Sequence, residues 1–134
     1  AYESIGRVGE AIVLHERTLA DRERILGDDH PATLASRNNL AYSYESIGRV
    51  GEAIVLHERT LADRERILGD DHPDTLTSRN NLAYAYELAG RLDEAIPLYE
   101  RTFTDSERIL GPNHPTTDVV RGNLATARER RASQ

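Results

Sequence analysis

The stretch GEAIVLHERTLADRERILG occupies residues 9–27 and recurs letter for letter at 51–69. The identity extends outward from it: residues 1–42 and 43–84 differ only at Ala1/Ser43, Ala32/Asp74 and Ala35/Thr77. A looser third copy at 85–126 matches the second at 24 of 42 positions and keeps the glycine stops and the His-Pro pair in register. A fixed period in this range marks a stacked array, in which each unit is one supersecondary element that buries its apolar face on its neighbours. Such an architecture favours binding over chemistry.

Each unit carries two stops. Gly6, Gly48 and Gly90 follow a helical run and precede Arg-Val or Arg-Leu, while Gly27, Gly69 and Gly111 follow Arg-Ile-Leu and precede a short loop ending in His-Pro. Glycine just past a helix suits the left-handed position, and proline suits the first helical turn, where its missing N–H is not needed. The spacing therefore predicts A helices over 31–47 and 73–89, B helices over 8–26, 50–68 and 92–110, and a final A helix from Pro115. The units fall at about 1–27 (partial), 31–69 and 73–111, followed by a capping helix at 115–131, all in one solenoid over residues 1–134. Residues 1–5 read as the tail of an A helix. With no Met and a start inside a repeat, the chain is expected to be a segment of something longer.

Placing the residues 100° apart separates two faces. In the second B helix Val50, Ala53, Ile54, His57, Thr60, Leu61 and Leu68 share one side, and Glu52, Arg59, Asp63 and Arg66 lie away from it. In the A helix before it, Leu34, Leu40, Ala41, Tyr44 and Ile47 form the packing side. The opposite arc, Ala35, Asn38, Asn39, Tyr42, Glu45 and Ser46, carries a single charge. A polar but nearly uncharged helical face is suited to contacts with another chain.

The run Asn-Asn-Leu-Ala-x-x-Tyr-x-x-x-Gly-Arg-x-x-Glu-Ala, at 38–53 and 80–95, resembles the core of the tetratricopeptide repeat. The extension Leu-Gly-x-Asp-His-Pro-x-Thr-Leu at 68–76 is similar to the long repeats of kinesin light chains. Similar arrays occur in bacterial and fungal signalling ATPases. The resemblance implies an all-α, right-handed solenoid of antiparallel helix pairs, with A helices lining a concave groove for extended peptides and B helices forming the back. It implies a peptide-binding set of Asn38, Asn39, Tyr42, Glu45, Asn80, Asn81, Tyr84, Glu87 and Asn123. Within that set it favours the second Asn of each pair, with Asn123 in the third copy, as ligand-facing, and Tyr42 and Tyr84 as flanking walls. An amide has donors and an acceptor with which to meet a peptide backbone whatever its side chains. The alternative is that one Asn of each pair bonds within its own scaffold. Ala35, Thr77, Val119 and Asn123 stand where some relatives place Lys or Arg to grip a terminal carboxylate, so binding of chaperone tails is disfavoured.

Arg37 and Arg79 occupy packing positions that the family usually fills with an apolar residue, and so do Arg22 and Arg64, where the third copy has Ser106. The expectation is a stem packed in the core with its head on a neighbouring carboxylate, rather than anion capture. In the loops Asp28-Asp29-His30 and Asp70-Asp71-His72, two carboxylates stand beside an imidazole. Metal binding is disfavoured because the spacing is not that of ligands on one helix face and the third copy reads Pro112-Asn113-His114. Acids ahead of a helix N-terminus offset its positive dipole end instead. His15 and His57, on the apolar face, give way to Tyr99, an exchange no catalytic base would survive, and so read as core side chains with a polar tip. The Glu/Arg stretch 58–66 reads as a solvated face laced by pairs such as Arg59 with Asp63, each worth a few tenths of a kcal/mol.

No phosphate loop, nucleophile elbow or acid/base carboxylate pair appears, so neither enzymatic activity nor a cofactor is expected. A net charge of −6 argues against nucleic acid as the main partner. No apolar run approaches membrane-spanning length, and the absence of Cys suits the cytoplasm. The expected partner is a protein or peptide, within a larger signalling or scaffold protein. A self-assembling structural module and a metal- or ligand-responsive sensor array remain as alternatives. In the last helix Arg128 replaces Tyr44/Tyr86 and Asp118 replaces Leu34/Leu76, which reads as a polar cap. At the other end Val8, Ile12, His15 and Leu19 are expected to lie uncovered and to drive self-association, either head-to-tail with residues 115–130 of another copy or by symmetric pairing.

Overall fold

The structure, a computed structural model, describes residues 2–134, with side chains described from residue 6 onward. Among these residues six helices follow one another: α1 (Tyr2–Leu26), α2 (Pro31–Ser46), α3 (Val50–Leu68), α4 (Pro73–Leu88), α5 (Leu92–Leu110) and α6 (Pro115–Ala132). From α2 onward each begins on the expected residue, and the A helices α2 and α4 end one residue early. The chain forms two compact units, residues 1–63 and 64–134, the division falling inside α3.

Local chemistry sets the helix ends. His30, His72 and His114 occupy the N-cap positions in extended conformation, and each Nδ1 accepts from the backbone N–H two residues on, at 3.0, 3.0 and 3.1 Å. Pro follows each cap at the first helical position. The cap is therefore the imidazole, whereas the sequence pointed to the neighbouring acids. At the other end Gly48 and Gly90 turn left-handed, with φ of 82° and 76°. There Arg49 N–H reaches back to Tyr44 O at 2.8 Å, and Arg91 N–H to Tyr86 O at 2.9 Å, satisfying carbonyls the helix leaves open.

Gly6 does not act as the stop its sequence position suggested. It lies inside the continuous helix α1 and has no positive φ. Glycine permits a left-handed turn without imposing one, and about 1 kcal/mol of lost helix propensity is outweighed by an uninterrupted ladder of bonds. Residues 2–5 therefore continue α1 and do not end a separate helix; Ala1 and the side chains of residues 2–5 lie outside the described residues.

In the first unit α1 packs on α2. Ile12, Leu19, Leu40, Ala41, Tyr44 and Ala53 form one buried cluster, with Val8, Ile47 and Leu56 against it. The stripe expected to be bare on α1 is thus largely covered: Ile12 and Leu19 are buried beneath α2, and Val8 and His15 are half-buried. The following A helix covers Ile12 and Leu19, while His15 lies on a less covered side. Tyr44 also donates its hydroxyl to Glu16 at 2.7 Å. In the second unit α5 packs against both α4 and α6, and α4 touches α6. Leu76, Ala83, Ala95, Tyr99, Val120 and Ala127 are fully buried. Removing a side chain such as Leu76 from water contributes about 2 kcal/mol.

The buried arginines are paired. Arg37, fully buried, donates through Nη1 to Asp63 at 2.7 Å and through Nη2 to the Asp28 carbonyl at 3.3 Å. Arg79 repeats this with Asp105 at 2.7 Å and the Asp70 carbonyl at 2.9 Å. Arg22 and Arg64 are only half-buried and donate to the hydroxyls of Ser36 and Ser78 at 2.6 and 2.7 Å, where a carboxylate was expected. Spacing alone pairs Asp63 with Arg59 on the surface; in the fold Asp63 meets the buried Arg37 at 2.7 Å, and Arg59 lies 3.7 Å from Glu23. A desolvated guanidinium binds a carboxylate far more strongly than an exposed one four residues away. Leu68, placed on the packing side by its angle, is 38% exposed at the end of α3.

Candidate peptide-binding face

In the second unit a cavity of about 280 Å³ opens between α4 and α6, lined by Thr77, Asn80, Asn81, Pro115, Thr116 and Val119. The repeat puts them there. Thr77, Asn80 and Asn81 share the arc of α4 turned from its packing side, while Pro115, Thr116 and Val119 form the first turns of α6. Val119 is 55% exposed, so the wall is partly apolar and open to solvent. Asn123 Nδ2 donates to Asn80 Oδ1 at 3.3 Å, linking the two helices along this face. That bond occupies one of the two donors of Asn123 and leaves capacity on both amides. Asn81 is 8% exposed, and Tyr84, one turn on, is 39% exposed.

On α2, in the first unit, Asn38 is half-buried, Asn39 is exposed, and Tyr42 is 43% exposed with its ring edge-on to His57 at 5.9 Å. Glu45 and Glu87 take a different direction. His57 Nε2 lies 2.8 Å from Glu45 Oε1, both groups buried. In the second unit the Tyr99 hydroxyl donates to Glu87 Oε1 at 2.8 Å, and Arg130 Nε approaches Glu87 Oε2 at 3.2 Å. These carboxylates tie an A helix to the B helix after it, and neither borders the 280 Å³ cavity. Burial, and then the bond to Glu87, push the Tyr99 phenol far above its ordinary range. The same two causes, with Glu16 as acceptor, push Tyr44 up to about 12. His57 is buried in the core as its apolar neighbours suggested, whereas His15, with the same neighbours in sequence, is only half-buried.

In the sequence Thr77 and Val119 stand out only as places where a carboxylate clamp is missing; in the fold both line the cavity. The places of Pro115 and Thr116 in the cavity wall escape sequence reasoning. Their signal was available, because a residue starting one A helix must lie near the middle of the A helix one repeat earlier. A larger hollow of about 570 Å³ lies where α6 ends, and of the expected binding residues only Glu87 borders it. Among the described residues no group of three His, Asp or Glu side chains could hold a metal ion, and no helix is long and apolar enough to cross a membrane.

The tetratricopeptide-repeat profile matches three overlapping stretches, residues 1–64, 38–104 and 80–134. The chain belongs to the tetratricopeptide-repeat family. Its repeats are of the kinesin-light-chain type, and its fold is the all-α helical-repeat solenoid. A crystal structure of a kinesin light chain-like protein with nearly identical TPR-like repeats from Podosopora anserina is 33% identical, with a TM-score of 0.81. A single-substitution variant of that protein gives 0.83 at the same identity, and both alignments cover 99% of this chain. BtubC (BKLC) from P. vanneervenii, at 20% identity, shares the fold with a TM-score of 0.82 over 92% of this chain. This tetratricopeptide-repeat chain spans 63% of the length of the first two structures and 50% of the third. Comparison with curated protein sequences returned no match.

Proposed function

We propose that this tetratricopeptide-repeat chain is a protein-interaction scaffold that holds an extended segment of a partner protein against the Asn-bearing faces of its A helices. The observation that carries this reading is the open cavity between α4 and α6, lined by the amides of Asn80 and Asn81 and by the partly exposed Val119. An extended peptide needs backbone partners at a regular interval, and Asn80, Asn81 and Asn123 supply amides along the second unit. On α2, Asn38, Asn39 and Tyr42 offer the same surface chemistry in the first unit. Glu45 and Glu87 act behind this face by fixing the helices that carry it.

The test uses a displayed library of unstructured peptides selected on the wild-type chain, with the enriched peptides then measured by titration. Asn80→Ala with Asn123→Ala should weaken them about tenfold, the sum of two hydrogen bonds worth roughly 0.5–1.5 kcal/mol each. Thr77→Arg, which fills the cavity from an exposed position, should abolish binding while helicity is unchanged. Peptides bound equally well by both variants would place the site elsewhere.

A further inference from the structure

Residues 1–42 and 43–84 differ at three positions, and two of them, Ala32/Asp74 and Ala35/Thr77, lie on the face that carries the amides. Ala32, Ala35 and Asn39 follow one another at helical spacing along α2, as Asp74, Thr77 and Asn81 do on α4 and Thr116, Val119 and Asn123 on α6. The third difference leaves Ser43, whose hydroxyl bonds within its own helix to the Asn39 carbonyl at 3.2 Å. Exposure alone does not explain the placement, because the exposed pairs Val13/Val55, Arg17/Arg59 and Tyr42/Tyr84 are unchanged between the copies. Nor does it depend on a missing neighbour, since Thr77 is exposed with α6 beside its helix.

In the second unit three residues at these registers, Thr77, Thr116 and Val119, come together around the cavity of about 280 Å³. None of the residues that line it is charged, and Pro115 and Val119 are apolar. A charged head entering there would leave water without gaining a partner. An enclosed apolar cavity of about 150 Å³ accepts a benzene molecule. This one therefore has room for one large side chain, with its mouth open to solvent. One turn before Thr77, on the same side of α4, the side chain of Asp74 is 61% exposed. Among the described residues the one basic nitrogen within ion-pair reach is His72 Nδ1 at 4.0 Å. That atom already accepts from the Asp74 N–H, so it carries no proton with which to neutralise the carboxylate.

We infer that the bound segment places one large uncharged side chain, aliphatic or aromatic, in this cavity and a Lys or Arg beside Asp74. The inference rests on the peptide-binding reading above and names the chemistry of the partner. Asp74 stands one helical turn, about 5 Å, from Thr77, a distance an extended chain covers in one or two residues. Positions 116 and 119 select the first of these side chains and position 74 selects the second, while the amides hold the backbone. In the first copy Ala32 and Ala35 offer neither a charge nor a branched side chain. Two almost identical copies thus differ chiefly in what they ask of the partner.

Peptides enriched on the wild-type chain from the displayed library, titrated with one residue changed at a time, test the inference. One position should prefer Leu, Ile, Val or Phe, and Ala there should weaken binding about tenfold or more. A neighbouring Lys or Arg exchanged for Gln should cost about two- to fivefold, a cost that shrinks in salt and vanishes on Asp74→Ala. Asp74→Ala installs the first copy's residue, and Thr116→Asp with Val119→Thr installs the second copy's, so the repeat already tolerates each replacement. Circular dichroism verifies that the variants stay helical. Thr116→Asp with Val119→Thr should abolish the apolar preference and favour Lys or Arg at that peptide position. An apolar preference that survives this pair of changes, or equal weakening of every peptide, overturns the inference. So does enrichment of Asp or Glu at the cavity position. In each of those cases a loss caused by Asn80→Ala with Asn123→Ala leaves the peptide-binding reading standing. A chain that enriches no peptide overturns both.

Discussion

Replacing Asp105 by Ala removes the carboxylate that Arg79 Nη1 meets at 2.7 Å, while the guanidinium stays fully buried. Its Nε has no partner, so that donor cannot take up the loss. Stranding a buried charge in this way costs about 3–5 kcal/mol. Asp105 is itself 20% exposed, so water can enter its place and the lower end, about 3 kcal/mol, is expected. For a chain of this length that lowers the melting midpoint by about 10 °C. The second substitution is Arg79→Met, which keeps an unbranched stem of similar length and removes the charge. An apolar replacement of a buried ion pair is commonly neutral or better, so Asp105→Ala with Arg79→Met should recover most of the lost stability. Urea unfolding followed by circular dichroism measures all three variants. If Asp105→Ala costs under about 0.5 kcal/mol, as a surface change would, or if the double variant is no more stable than the single one, the account of Arg79 as a core side chain held by its carboxylate is wrong.

Two glycines at equivalent repeat positions should respond oppositely to alanine. Gly48→Ala, at φ 82° with open space around its Cβ, should cost about 1 kcal/mol, and Gly6→Ala should stabilise by about 0.5–1 kcal/mol in urea titrations. His72→Ala removes the acceptor for Asp74 N–H and should cost about 1 kcal/mol, with His72→Asn recovering most of it in the same assay. In an alkaline titration read by phenolate absorbance, Tyr44 and Tyr99 should ionise well above the ordinary tyrosine range. Their raised folded-state values mean that the stability they contribute is complete below about pH 10 and falls as the pH climbs towards 12, so unfolding should begin in that window.

The helices from 31 onward were legible because Pro, Gly and the apolar period agree at every boundary. Arg37 and Arg79 were legible too, since a cation on an apolar face demands an acceptor. What escaped was what a helical wheel cannot carry. It gives an angle and no neighbour, so Asp63 went to the nearest Arg along its own helix when a buried one lay across the interface. It also weighs Gly6 like Gly48, although at Gly48 the turn is completed by Arg49, whose guanidinium lies 4.5 Å over the Tyr44 ring and forks onto Glu52 at 2.6 and 2.5 Å. On the candidate face, the pattern found the amides and the tyrosines. It could not show that Glu45 and Glu87 turn inward, because their acceptor role depends on an imidazole and a phenol twelve residues away.

The duplicated B helix makes recognition within the first unit ambiguous. Nothing in residues 9–27 tells α2 that it is not facing residues 51–69, and Glu45 would find the same imidazole on either. Side-chain chemistry thus allows two wells of similar depth, a form of frustration that most sequences avoid by diversifying their core. The connectors break the tie. Residues 27–30 join α1 to α2 and residues 47–49 join α2 to α3, and spans this short give each helix one side of α2 to reach. Lengthening either connector should therefore slow folding and invite exchange of helices between chains, even though no native contact is changed.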